Sequence, residues 1–206
     1  LMLLRAGNLT LGRHGRTLIR SLSLSLTPHQ LVAVLGPNGA GKSTLLGLLA
    51  GETPADDGSL TWQGQPLAKV RESFHRQLLW LGHKPGVNAA LTADENLRFF
   101  FPASRLQQRE SALAAVGLAG YEDLPLSQLS AGQQRRVALT RLWLTDAPLW
   151  ILDEPFTALD KQGVAQLEAH LAGHCERGGV VVLTTHHSLQ RTPATYRDLD
   201  LGQYAA

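Results

Sequence analysis

With 206 residues, 44% of them hydrophobic and 17% charged, the chain has the composition of a globular protein and the length to bury a substantial core in one domain. A net charge of +2 is too small to imply a nucleic-acid partner, and a single cysteine excludes an intrachain disulfide and fits a reducing compartment. No apolar run approaches the length of a bilayer span, and the apolar stretch of LMLLRAGNLT is too short for a secretory signal, so the expected place is the cytoplasm, with no direct membrane span.

In chain order, residues 3 to 11 and 17 to 26 read as strands around Gly12 and Gly15. The second alternates Leu22, Leu24 and Leu26 with serines, the pattern of a half-buried β surface. A turn over residues 28 to 30 leads into an apolar run at 31 to 35, too short for a helix, followed by a glycine-rich loop and leucines spaced for a helix. Residues 60 to 62 and 78 to 82 read as further short strands. From about 86 to 147 helical patterns take over, at 92 to 101, 105 to 116 and 132 to 145, bounded by Pro102, Gly117 and Pro148. A parallel core then resumes with a strand at 149 to 152, a helix near 161 to 174, a strand at 180 to 184 and a short tail. This order implies an open parallel sheet flanked by helices, with ligands at the carboxyl ends of its strands.

The loop after the strand at 31 to 35 meets the pattern G-x-x-x-x-G-K-[ST] in full: Gly36, Pro37, Asn38, Gly39, Ala40, Gly41, Lys42, Ser43, then Thr44. Glycines let successive backbone N-H groups converge on phosphate oxygens at the start of a helix whose dipole favours anions. Lys42 then reaches terminal phosphates, and the Ser43 hydroxyl offers itself to a magnesium ion. An ordinary glycine-rich turn is the bland alternative, disfavoured by the strand before the loop and the helix after it. LWILDEP is an apolar strand ending in two acids, placing Asp153 to hold magnesium and Glu154 to polarise an attacking water. Alone, those acids would equally well cap the next helix; the upstream loop decides. In LSAGQ, Ser130 and Gln133 have the spacing of a capping box, and a capped helix N-terminus is also an anion site.

With these motifs in this order, the sequence resembles the nucleotide-binding subunits of ABC transporters. LSAGQ stands where that family has LSGGQ, with alanine for one glycine, and TALD at 157 to 160 and His186 follow the acid pair. The resemblance covers essentially the whole chain. It implies an α/β fold: a P-loop NTPase (RecA-like) parallel-sheet core, an N-terminal antiparallel β subdomain and a helical ABC-specific subdomain. Residues 1–206 would form one nucleotide-binding domain, with the core at 1–85 and 148–206 and the helical part at about 86–147. ATP and Mg2+ are the implied cofactors. Ser130, Gly132 and Gln133 would act in trans on the nucleotide of a second copy in a head-to-tail dimer, and His186 would align the γ-phosphate and water with Glu154.

Two departures from the family pattern stand out. Near residue 83 the family has a glutamine that touches magnesium, and LGHKPG places His83 or Lys84 there. Near residue 13 it has an aromatic that stacks on adenine, and Arg13 and His14 stand in its place; an arginine plane can stack on a base. The run LSAGQQRRVALTRLWLTDAPLWILDEPFTALD, with WQGQPL and LGHKPG, is similar to the ATPase subunits of bacterial cytochrome c maturation systems. That likeness implies a peripheral protein on the cytoplasmic face of the inner membrane. Its partners would be the polytopic membrane subunits of the cytochrome c maturation complex, and its output haem export or release of a haem chaperone. Nothing in the spacing of the residues says haem. A soluble ABC ATPase, such as one for iron-sulfur cluster assembly, is the alternative; a P-loop kinase or switch GTPase would leave Ser130, Gln133 and His186 without a role.

The remaining features read as structural. His170, His174 and Cys175 read as a solvated helix end, because no further ligand is spaced to close a metal site. Arg135 and Arg136 read as exposed helix arginines, His187 as a solvated neighbour of His186, and Trp62, Trp80, Trp143 and Trp150 as packing residues.

Overall fold

A computed structural model describes residues 3–206. It opens with a hairpin, β1 (Leu4–Arg13) and β2 (Arg16–Leu26), whose turn sets His14 and Gly15 at positive φ. The phosphate-loop unit follows as β3 (Leu31–Leu35) and α1 (Lys42–Leu49). Next come β4 (Asp57–Trp62), β5 (Gln65–Pro66), α2 (Arg71–Arg76) and β6 (Leu78–Leu81). A helical stretch contains α3 (Ala93–Phe100), α4 (Ala103–Leu106), α5 (Arg109–Ala115) and α6 (Ala131–Thr140). The chain finishes with β7 (Leu149–Leu152), α7 (Lys161–Glu176), β8 (Val180–Thr184) and β9 (Arg197–Asp200).

Two sheets result. The first is antiparallel, in the order β2-β1-β4-β5; the second is parallel throughout, in the order β6-β7-β8-β3-β9. Inner strands β3, β7 and β8 of the parallel sheet are buried on both faces, which is why they read as unbroken apolar runs. Their alternation nevertheless sorts them between two cores. Val32, Val34, Leu149, Ile151, Val180 and Val182 join the leucines of α1 and the inner face of the antiparallel sheet. Leu31, Ala33, Trp150, Leu152, Val181 and Leu183 instead meet α7 and the helical stretch.

Several sequence expectations needed correction. The helix expected at 105 to 116 is two helices, broken at Gln107 and Gln108, where Arg109 turns back to donate to the Leu106 carbonyl and pairs with Asp94. The helix expected to run to 145 stops at Thr140 and tightens into a 3-10 turn over Arg141–Trp143, with Leu144 N-H donating to the Arg141 carbonyl. Helix α2 and strand β5 carry no strong periodic signal and were not expected. The tail is not mere tail: β9 forms the edge strand beside β3, with Val34 opposite Leu199. Its sequence, RDLD, is polar because only Leu199 faces the core.

Candidate active site

Four adjacent strands, β6, β7, β8 and β3, end side by side, and each is followed by a residue singled out from sequence: His83, the pair Asp153 and Glu154, His186, and the loop from Gly36. Side chains from all four loops line one cleft of about 520 Å³. In the phosphate loop, Gly39 and Gly41 have φ of +84° and +100°, the left-handed region that a side chain resists. At Gly41 a Cβ would also come within 3.1 Å of Ile19 Cδ1, so the close approach of loop to hairpin needs glycine twice over. Gly41 caps α1 without any side-chain hydrogen bond, and the first turn carries no acid. The N-H groups of that turn are therefore offered to an anion. Lys42 Nζ donates to the Gly36 carbonyl at 2.6 Å, which holds the ammonium over the loop.

Opposite the loop, Asp153 is buried and Glu154 half-buried. Thr184, fully buried at the end of β8, joins them: its hydroxyl donates to Asp153 Oδ1 at 2.7 Å and accepts the Glu154 N-H at 2.8 Å. Glu154 sits at φ +51°, an uncommon conformation for a residue with a long side chain. Its carbonyl is held from two sides, by the Thr157 hydroxyl at 2.7 Å and by Arg135 Nη2 at 2.9 Å. His186 Nε2 lies 3.1 Å from Glu154 Oε1. This arrangement can polarise a water at the Glu154 carboxylate, which the imidazole holds by direct contact, while a phosphate chain rests on the loop.

The oxygen donors suit a hard cation. Asp153 and the exposed Ser43 hydroxyl both line the cleft, with His83 at its edge. Among the described residues no cluster of three or more His, Cys, Asp or Glu is placed to hold a metal ion. Magnesium does not need one, because it takes one or two protein oxygens and completes its shell from phosphate and water.

Of the residues expected from sequence, Arg13, Asn38, Gly39, Gly41, Lys42, Ser43, Thr44, His83, Asp153, Glu154 and His186 line this cleft. Gly36, Pro37 and Ala40 form the body of the loop rather than the lining. Lys84 faces a neighbouring cleft of about 820 Å³, which His83 also lines. Ser130, Gly132 and Gln133 do not reach the cleft of their own chain. They cap α6 as the spacing implied: Gln133 N-H donates to Ser130 Oγ at 3.1 Å, and Ser130 N-H to Gln133 Oε1 at 2.8 Å.

Sequence reasoning missed Arg16 and Leu18, which line the cleft from β2 beside Arg13 and His14. It also missed Thr184, whose signal was a hydroxyl closing an apolar strand just before the histidines. His187 is exposed, as its sequence context implied, with Nδ1 3.0 Å from Thr185 Oγ1 and its ring edge-on to Phe156. Two expectations are overturned. Arg135 and Arg136 are not exposed arginines but half-buried; Arg136 donates to the Val116 carbonyl at 3.0 Å, and burial pulls the Arg135 pKa down, with Asp153 and Glu154 pulling the other way. The end of α7 is not solvated: Cys175 is buried, His170 stacks on Trp143 with ring centres 4.2 Å apart, and His174 on Trp150 at 3.6 Å. Burial pushes the His174 imidazole down to about 4 and the Cys175 thiol up to about 12.

Comparison with known proteins bears on family and fold. The ABC transporter family model matches residues 19–157. A cytochrome c biogenesis ATP-binding export protein of Pseudomonas fluorescens is 55% identical over 193 residues, covering 92% of each chain. The protein of the same description from Salmonella typhi is 55% identical over 199 residues, covering 97% of each. Among solved structures, an ATP-binding subunit of an ABC transporter superposes with a TM-score of 0.85 at 25% identity, covering 97% of this chain and 87% of its own.

Proposed function

The chain belongs to the ABC transporter family and is an ATP hydrolase of that family, and from that premise we propose that it drives a membrane complex of cytochrome c biogenesis. It works there as a head-to-tail pair of copies with magnesium, and its turnover powers haem export or release of a haem-loaded chaperone. The single observation that carries the hydrolytic part is His186 Nε2 at 3.1 Å from Glu154 Oε1, across the cleft from Lys42.

The roles follow from chemistry. Loop N-H groups from Gly36 to Thr44, with Lys42, bind the phosphate chain. Ser43 and Asp153 would hold magnesium, with His83 lining the same cleft, and such an ion would supply positive charge against the phosphate oxygens. Glu154 takes the proton of the attacking water, and His186 fixes its carboxylate and the terminal phosphate in line. Arg13 offers a guanidinium plane to the base. Ser130, Gly132 and Gln133 grip the nucleotide of the second copy. Supporting this, Ser130 is exposed at the N-terminus of a helix with no acid in its first turn, yet lies off its own cleft.

Residues 1–206 act as one nucleotide-binding domain, a reading supported by a core that runs unbroken from the parallel sheet into the helical part. No helix among the described residues is long and apolar enough to cross a membrane. In the proposed assembly polytopic partner subunits supply the passage, and the chain sits peripherally on the cytoplasmic face of the inner membrane. The likeness to curated cytochrome c biogenesis export proteins supports that assignment.

Two measurements test the reading. Glu154→Gln should lower ATP turnover at least about 100-fold while leaving nucleotide binding intact and accumulating a dimer in ATP, seen by size-exclusion chromatography; wild-type turnover in that variant would remove Glu154 as the base. For the pathway, the chain is expressed in a bacterium lacking its own maturation ATPase, and haem-stained c-type cytochromes are scored. Failure to restore them, with the ATPase active in vitro, would refute the cytochrome c assignment.

A further inference from the structure

Arg135 is built into the site from behind. It follows Gln133 by two positions on α6, so the helix that begins at Ser130 carries it inward toward the ends of β6 and β7. There its guanidinium donates only to backbone: Nη1 to the His83 carbonyl at 3.1 Å, and Nη2 to the carbonyls of Asp153 at 2.5 Å and Glu154 at 2.9 Å. One planar fork thus joins the two loops that carry the candidate metal ligands and the base. A lysine would have to reach all three carbonyls from one nitrogen, whereas the guanidinium spreads its donors over a rigid fork. The Glu154 peptide unit sits at positive φ and is pinned by three side chains: Thr184 at its N-H, Thr157 and Arg135 at its carbonyl. A strained conformation at a reacting residue persists only where its surroundings over-determine it.

We propose that Arg135 is a positioning residue for hydrolysis: it fixes the backbone of Glu154, Asp153 and His83 to the helix that starts at Ser130, so that the aim of the Glu154 carboxylate depends on where that helix stands. Arg135 does not line the cleft, and its effect passes through Glu154. The proposal rests on the hydrolytic reading given above. It goes further in linking the helix that faces a second copy to the base of the same copy.

The test uses the purified full chain, with wild type measured alongside Arg135→Ala and Arg135→Lys. Expected for Arg135→Ala is a fall in kcat of tenfold or more, with KM and the monomer dissociation constant for ATP within threefold of wild type. Amide hydrogen exchange should quicken in the peptides holding His83 and Asp153 to Glu154, without nucleotide present. Guanidinium ion at tens of millimolar should restore part of the lost rate, whereas an equal concentration of sodium chloride should not. Should Arg135→Ala fail to fold, Arg135→Lys serves: its kcat should fall fivefold or more at unchanged ATP affinity. A kcat within twofold of wild type in a folded variant overturns the role of Arg135 and leaves the ATPase reading standing. So does a loss of rate matched by an equal loss of ATP affinity and untouched by guanidinium. Wild-type protein without ATPase activity would overturn the hydrolytic reading itself, and Arg135 with it.

Discussion

Replacing Thr184 by valine isolates the contact that stitches β8 to the acids after β7. Valine has nearly the same shape, so packing around this fully buried position is kept and only the hydroxyl is lost. Two things go with it: the bond at 2.7 Å to the Asp153 carboxylate, and the acceptor at 2.8 Å for the Glu154 N-H. A hydrogen bond to a charged group contributes about 1.5–3 kcal/mol, and a buried donor left unpaired costs about 1–3 kcal/mol. Because the two share one atom, they do not simply add, and a total of about 3 kcal/mol is the working figure. For a chain of this length that corresponds to a fall in Tm of about 10 °C. Freed at its N-H, Glu154 should relax from its positive φ, and kcat should drop about tenfold, roughly 1.4 kcal/mol in the barrier. Differential scanning fluorimetry and a coupled ATPase assay read both effects. Thr184→Ser is the control: it keeps the hydroxyl and should stay within about 1 kcal/mol of wild type. A Tm within 2 °C of wild type for valine, or serine as damaging as valine, would refute the argument that the hydroxyl organises the acids.

Ser130→Arg should eliminate ATP turnover while leaving monomer ATP affinity nearly unchanged, at a cost of about 1 kcal/mol from the lost helix cap; a large loss of monomer affinity would contradict action on a second copy. Folded His174 holds its proton only below about pH 4, against an ordinary 6.5. Stability from its neutral stack on Trp150 is therefore whole above pH 6.5 and is lost as pH falls from 6.5 to about 4. Allowing for partial exposure, the loss is about 2 kcal/mol. His174→Phe keeps the stack and removes the titration, so the slope of Tm against pH should flatten in that window; an unchanged slope would clear His174. Cys175, buried with its thiol pushed up to about 12, should resist a thiol reagent in the native protein and react with one equivalent in denaturant.

What the sequence made legible was what the backbone pattern and local motif spacing encode. The phosphate loop, the apolar runs of β3, β7 and β8, and the capping box of Ser130 and Gln133 are each complete within a few neighbouring residues, so one chain suffices to read them. The end of α7 failed for the opposite reason. His170, His174 and Cys175 look polar and terminal along the chain, and only the rings of Trp143 and Trp150, brought from before and within β7, make that end a stacked interior. Strand β9 failed because an edge strand needs only one buried residue, Leu199, and a single apolar side chain is no pattern.

Arg135 is the sharpest instance of the same limit. Its partners are carbonyl oxygens, which every residue has, so no residue type 18 or 52 positions away could mark it as anything but a surface arginine. Yet that contact with unmarked backbone is what joins the legible parts. The motifs name a cradle, a metal ligand, a base and a second-copy grip as separate segments of chain. On the proposed pairing, a cradle whose base is aimed through the helix that grips the other copy's nucleotide would not be two independent half-sites. In the proposed pair, closing either composite site would move α6, and α6 would carry the backbone of the other site's base with it.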